Sequence, residues 1–222
     1  MKIIVVNSNP VHLPLEQKCK TLYKSVAINK KDDLSILKLK KLKPDYIFFI
    51  HWSYIIPLKI FENFNCILFH MTDLPYGRGG SPLQNLIIRG HKKTRISAIK
   101  VSRKIDAGPV YLKRNLSLNG TANEIFVRAG GVMFEMIKEI IKKKPSPAPQ
   151  KGNPIFFKRR KPIESKMDAI FEIEKVYDFI RMLDAEGYPL AFIETKNMKI
   201  EFNNAKVVNN KTLIANARIT KR

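Results

Sequence analysis

Three short apolar runs constrain this chain more than any other feature. "KIIVV" (2–6), "DYIFFI" (45–50) and "CILF" (66–69) are apolar at nearly every position and are bounded by polar or turn-forming residues. They are too short for buried helices. A strand reads this way when both its faces are covered, as in a parallel sheet packed between helices. "SVAI" (25–28) is a weaker strand between the first two. The segments between them read as helices. "DDLSILKLKKLKP" (32–44) sets Leu34, Leu37 and Leu39 among lysines, with Asp32 or Asp33 as cap and Pro44 as stop. "SPLQNLIIRG" (81–90) joins a Ser81 cap and a first-turn Pro82 to Gly90 just past the end. "TANEIFVRAGGVMFEMIKEIIKKK" (121–144) opens on a capping box, Thr121 and Glu124, and closes on lysines. Its Gly130–Gly131 pair weakens the helix, which argues for close packing against a sheet. "RISAIKVS" and "VYLKRNLSL" alternate as strands do. The expected fold is α/β, a Rossmann-like parallel-sheet core.

The chain changes character after "KKKPSPAPQKGNP" (142–154), a Pro-rich surface loop or linker. Beyond it lie a basic stretch, "IFFKRRKP", an amphipathic helix over 172–187, and strands with antiparallel alternation. The expected domains are therefore a catalytic core, 1–150, and a small helix-plus-strand extension, 151–222. Exposed strands at 189–217 offer an edge through which a homodimer could pair.

Composition narrows the classes. Hydrophobic residues make up 45% of 222, enough for a sizeable core, and no run reaches the roughly 18 apolar residues of a membrane span. "MKIIVVNSNP" reads as a first strand and not as a signal peptide, so a cytoplasmic chain without membrane contact is expected. Cys19 and Cys66 are too few for a disulfide scaffold and lack metal-site spacing, so no metal is expected. The net charge of +22 suits nucleic acid or a small acidic substrate such as a nucleotide diphosphate. Lysines are spread along the chain, as a compositional habit would spread them, which makes nucleic acid the less expected partner.

Chemistry concentrates in "FHMTDLPYGRGGSP" (69–82). His70 follows a strand at the edge where open parallel sheets bind ligands, and the loop after it runs into the start of a helix. "GRGGSP" lacks the Gly-Lys-Ser/Thr ending of a nucleotide-binding loop. A turn whose histidine is satisfied by backbone fits the same residues. In "KVSRKIDAGPVYL" (100–112), Asp106 stands at an Asp-Ala-Gly-Pro turn, which ordinary turn chemistry also explains.

Together, "HMTDLPYGRGGSPLQ" and "DAGPV" resemble the N10-formyltetrahydrofolate-dependent formyltransferases, over roughly residues 45–165. The resemblance implies formyl transfer to an amine, with N10-formyltetrahydrofolate as co-substrate. It makes His70 the proton-handling residue and Asp106 its partner. In that family an asparagine stands two residues before the histidine; here it is Leu68, which has no donor. His51, Thr72 and Asn65 are the available substitutes. His51 is preferred, against its reading as a strand-end histidine without a role. "HWSYIIP" (51–57) aligns with the pterin-lining segment, so Trp52, Tyr54, Ile55 and Ile56 are expected at the cofactor, with Val101 and Ile105 opposite. Plain core packing is the alternative for Ile55 and Ile56. Arg78, Gly79 and Gln84 fall where the acceptor would lie.

"FFKRRKPIESKMD" (156–168) resembles the Arg-Arg-x-Pro segment, followed by an aspartate, of members that formylate nucleotide-linked amino sugars. It implies Arg159 and Arg160 on a diphosphate, with a solvated basic stretch as the alternative for either one, and an acceptor of the 4-amino-4,6-dideoxy class used in surface glycans. Residues 170–222 leave little room for the C-terminal barrel of methionyl-tRNA formyltransferases. The expected branch is therefore the sugar N-formyltransferases. A tRNA-directed relative and a non-catalytic relative are the alternatives.

Overall fold

The computed structural model describes residues 1–167 and 172–221. In chain order the elements are β1 (Lys2–Asn7), α1 (Leu13–Leu22), β2 (Lys24–Ile28), α2 (Ile36–Leu42), β3 (Tyr46–Ile50) and α3 (Leu58–Phe61). Next come β4 (Cys66–His70), β5 (Tyr76–Gly79), α4 (Pro82–Ile88), β6 (Lys93–Lys100), β7 (Val110–Ser117) and α5 (Ala122–Lys143). The chain closes with β8 (Ile155–Phe157), α6 (Ile173–Arg181), β9 (Ala191–Glu194), β10 (Met198–Asn209) and β11 (Thr212–Lys221). Two compact units interleave along it. One comprises Met1–Arg78, Thr94–Leu116 and Phe126–Phe156; the other comprises Gly79–Lys93, Ser117–Ile125 and Phe157–Arg222.

The first unit is built on a six-stranded sheet of order β2-β1-β3-β4-β6-β7. The apolar runs are its centre. β1, β2, β3 and β4 pair in parallel, and Ile3–Val6 and Ile47–Ile50 are fully buried. On one face Ile4, Val6, Ile47, Phe49 and Cys66 pack against Leu34, Leu39 and Ile60. Each such side chain contributes about 1.5–3 kcal/mol relative to exposure. β6 joins β4 antiparallel, so the sheet is mixed and not wholly parallel.

Local chemistry moves some expected boundaries. Asp32 and Asp33 lie in a 3-10 turn, and α2 is capped instead by Ser35, whose Oγ accepts the Lys38 N–H at 3.2 Å. Ser81 does not cap α4, because its Oγ accepts the Arg160 N–H at 3.0 Å. The Thr121–Glu124 capping box forms as expected. Gly130 packs on His12, not on the sheet: a Cβ there would stand 3.0 Å from His12 Nδ1.

The second unit carries a three-stranded sheet, β11-β10-β9, with antiparallel pairing, and α4 and α6. α6 ends at Arg181, short of the expected 187. The carbonyl of Met182, its C-cap, accepts the Gln84 side-chain amide at 3.2 Å. Arg181 is buried and fully engaged, pairing with Asp178 and donating to the Leu118 and Gly120 carbonyls.

One glycine in the first unit is fixed by close approach. A Cβ on Gly108 would lie 1.7 Å from the Lys100 carbonyl oxygen, inside the turn that leads from Asp106 into β7. Gly108→Ala should therefore open that turn and cost about 3 kcal/mol in urea unfolding. A loss under about 0.5 kcal/mol would show that the turn yields freely.

Candidate active site

β3 and β4 run parallel with Phe49 opposite Leu68. Continued by two residues, that register sets position 51 level with His70, so both strands deliver a histidine to the carboxyl edge of the sheet. His70 is 7% exposed. Its Nε2 donates to the Gly77 carbonyl at 2.7 Å, while Nδ1 faces the Asp106 carboxylate at 3.6 Å. The ring thus lies between two acceptors. The backbone bond expected of a merely structural histidine and the carboxylate expected of a reactive one are both present.

The loop after His70 is held down residue by residue. The Thr72 carbonyl accepts from Ser97 Oγ at 2.7 Å, and that oxygen accepts the Leu74 N–H at 3.3 Å. Lys113 bonds Asp73 and the Leu74 carbonyl. Leu74 is buried, and the Leu74–Pro75 peptide is cis. Gly77 has φ +78°, which turns its carbonyl to the histidine. Asp106 adopts φ +50°, a left-handed conformation that Asp tolerates. Gln150 clamps its turn, donating to the Asp106 and Gly108 carbonyls at 2.8 and 2.9 Å. The same side chain accepts from Arg78 at 2.7 and 3.2 Å. Arg78 is therefore tied to the aspartate turn. Gln150 sits in the Pro-rich stretch and carried no signal in the sequence.

His51 also has a left-handed backbone, φ +48°. Its carbonyl accepts Ser8 Oγ at 2.7 Å, its ring meets Phe126 edge-on, and its Nδ1 lies 3.4 Å from His12 Nε2. His12 is the second residue that sequence reasoning missed. Of the other substitutes for Leu68, Thr72 turns its hydroxyl to the Gly77 carbonyl. Asn65 lies before β4, at the other end of that strand, and bonds the Asp45 carbonyl.

Trp52, Ile56, Leu68 and Val101 are partly buried and pack on one apolar cluster. Trp52 Nε1 is buried without a hydrogen-bond partner in the protein. Tyr54 (46%), Ile55 (77%) and Ile105 (60%) are exposed. Ile55 is thus no core residue. An apolar base, an unspent N–H and exposed flanking apolar groups fit a flat heteroaromatic ligand. Among the described residues no group of three or more His, Cys, Asp or Glu could hold a metal ion, and no helix is long and apolar enough to cross a membrane. Burial pushes the Cys66 thiol up to about 12 and Cys19 to about 11, so both stay protonated and inert.

The remaining expected ligands lie in the second unit. Gly79 and Gly80 lie against Phe157 and Arg159: a Cβ on Gly79 would strike the Phe157 carbonyl, and one on Gly80 the Arg159 side chain. Gln84 is buried on Met182. Arg160 stacks over Phe179 and bonds the Glu164 carbonyl, which makes it part of this unit's packing. Asp168 lies outside the described residues.

Burial holds His12 near 3 and His51 near 4, against 6.5 for a free imidazole. Both folded-state values lie below the unfolded one, so the unfolded chain binds more protons between them. Stability should be full above about pH 6.5 and fall on acidification by about 1.4 kcal/mol per pH unit for each ring. Urea unfolding at stepped pH checks this, and His12→Gln should flatten the slope.

Known proteins share this architecture. A family model described as methionyl-tRNA formyltransferase, C-terminal domain, matches residues 162–220. A solved structure titled methionyl-tRNA formyltransferase, from Clostridium thermocellum, is 49% identical with a TM-score of 0.97, covering 100% of both chains. The methionyl-tRNA formyltransferase of Thermodesulfovibrio yellowstonii is 27% identical over 178 residues, 77% of this chain and 58% of that protein. The chain spans about 60% of the length of such curated relatives. A 4-N formyltransferase from Francisella tularensis shares the fold alone, at 16% identity and TM-score 0.66 over 88% of this chain and 93% of that one.

These findings overturn the sugar branch, its nucleotide-sugar acceptor and the discounting of nucleic acid. The segment that follows the basic stretch, residues 162–220, matches a methionyl-tRNA formyltransferase C-terminal domain. The short extension therefore does not argue against that kinship. Identity of 49% over the whole of both chains shows that this chain belongs to the formyltransferase family.

Proposed function

We propose that this chain transfers a formyl group to the amine of methionine carried on tRNA. The observation that carries this reading is the likeness, at 49% over full length, to a structure titled methionyl-tRNA formyltransferase. The net charge of +22 suits a polyanionic partner. N10-formyltetrahydrofolate is the formyl donor of this family, and it supplies an activated carbonyl carbon when bound. Trp52, Tyr54, Ile55, Ile56, Val101 and Ile105 are the residues assigned to hold it.

Proton handling falls to His70 and Asp106. An amine that attacks a carbonyl must lose a proton, and the departing nitrogen must gain one. His70 donates from Nε2 to the Gly77 carbonyl, so Nδ1 can donate to the Asp106 carboxylate, 3.6 Å away, once the ring has taken up a second proton. Asp106 then steadies the ring while it shuttles the proton. Negative charge that grows on the carbonyl oxygen needs a donor. Leu68 has none, and His51, neutral at pH 7, is the residue assigned to supply it. Arg78 and Gly79 are assigned to the acceptor side. Gln84 and Arg160 are anchored within their own unit, and Arg159 is the tail arginine assigned to phosphate.

The assay is formylation of methionyl-tRNA by the purified chain with N10-formyltetrahydrofolate. His70→Ala should lower kcat by about 10²–10⁴-fold, and Asp106→Asn by a smaller factor. Leu68 favours a second reading, cofactor binding without turnover, and no formylation at saturating donor would select it.

A charge-driven acceptor complex makes a separate prediction. The logarithm of tRNA affinity should fall linearly with the logarithm of salt concentration, with a slope near −0.9 for each phosphate neutralised. Affinity independent of salt between 50 and 200 mM would remove the role of charge.

A further inference from the structure

His12 takes no part in the chemistry above, yet its surroundings are specific. It is 1% exposed and ends a 3-10 turn, Pro10–His12, whose cap Asn9 accepts the Val11 N–H at 3.0 Å and the His12 N–H at 3.2 Å. Its Nε2 lies 3.4 Å from His51 Nδ1. Its Nδ1 is buried without a hydrogen-bond partner in the protein, and it faces Gly130 of α5.

We infer that His12 is a positioning residue: its Nε2–H donates to His51 Nδ1 and so holds the His51 proton on Nε2.

Two neutral rings carry one N–H each and share one hydrogen bond, so only two arrangements exist. Were His51 to donate from Nδ1, His12 Nε2 would accept, and the His12 proton would sit on Nδ1. That buried N–H would have no acceptor in the protein, a costly state for a donor. A Cβ on Gly130 would stand 3.0 Å from Nδ1, so this glycine, which offers no side-chain acceptor, lies beside it. A lone pair left there without a donor costs less than an N–H left without an acceptor. The lone pair therefore belongs on His12 Nδ1 and the proton on Nε2. Burial keeps both rings neutral at pH 7, so the arrangement is not overridden by a third proton.

The second ring is fixed as firmly. Ser8 holds the His51 carbonyl, Phe126 meets its ring, and its backbone is left-handed. A non-glycine residue held in that conformation is tolerated where surrounding contacts over-determine it. His51 directly follows β3, beside the strand that ends in His70. A tautomer with its proton on Nε2 presents a neutral donor, the form that an oxyanion needs and that the residue assigned for Leu68 must take. This last step rests on the role proposed for His51; the tautomer itself does not.

The test uses the full chain with 15N-labelled histidine. Two-bond proton–nitrogen correlation spectra at pH 7, assigned through single substitutions, distinguish the tautomers. Protonated Nε2 and bare Nδ1 on both His12 and His51 are expected. A proton on His51 Nδ1 would overturn the assignment, whatever the chain formylates. Kinetics then separate positioning from packing. His12→Met removes the donor and should lower kcat about tenfold with KM for both substrates unchanged. His12→Gln keeps an amide donor at the Nε2 place and should restore kcat to within about threefold. Equal losses in both variants, tracking their stability, would reduce His12 to a packing residue.

Discussion

Everything chemical in this molecule depends on the parallel pairing of β3 with β4. Both strands are buried runs, and their register is fixed by burial on both faces, since a slip would move every side chain. That pairing brings the two strands to one edge at the same level, and each exits into a histidine. The rest of the first unit serves to keep those exits in place. α2 and α3 cover one face, and the loop from Met71 to Gly77 is tied back through Ser97 and Lys113.

A second constraint is the narrowness of the backbone around Asp106. Gly108 fits against the Lys100 carbonyl only because it lacks a side chain, and Gln150 bonds two carbonyls of the same turn. A carboxylate set in a left-handed residue and clamped on both sides keeps its distance from the imidazole. This is preorganisation in its simplest form: groups are held before a substrate arrives, and no free energy is spent in ordering them later. The cost is local backbone strain at Asp106 and His51, absorbed by the packing around them.

The corrected branch has a physical lesson. Lysines dispersed along the chain read as a compositional habit because no single element collects them. A polyanion responds to the summed field of a surface, not to a cluster in sequence, so dispersal along the chain does not count against it. The basic tail misled for a related reason. Arg159 and Arg160 read as a matched phosphate clamp, yet Arg160 spends its guanidinium on Phe179 and on the Glu164 carbonyl. Adjacent residues need not share a task when alternate side chains leave the backbone in different directions.

By itself the sequence determined what is local or periodic. The buried strands, the Thr121–Glu124 box and the Asp106 turn follow from short patterns of burial and capping, and the pairing of His70 with Asp106 follows from the family resemblance that the two motifs carry. Tertiary structure alone decided the rest. His12 meets His51 across 39 positions, Gln150 reaches Asp106 across 44, and β6 turns antiparallel beside β4. Ser81 and Asp32 looked like caps, and packing gave the first another donor and displaced the second. Contacts between distant segments depend on how burial folds the chain back on itself, and no local pattern encodes them. That is why His70 and Asp106 could be read from motifs, while the contacts of Gln150 and His12 became visible only in three dimensions.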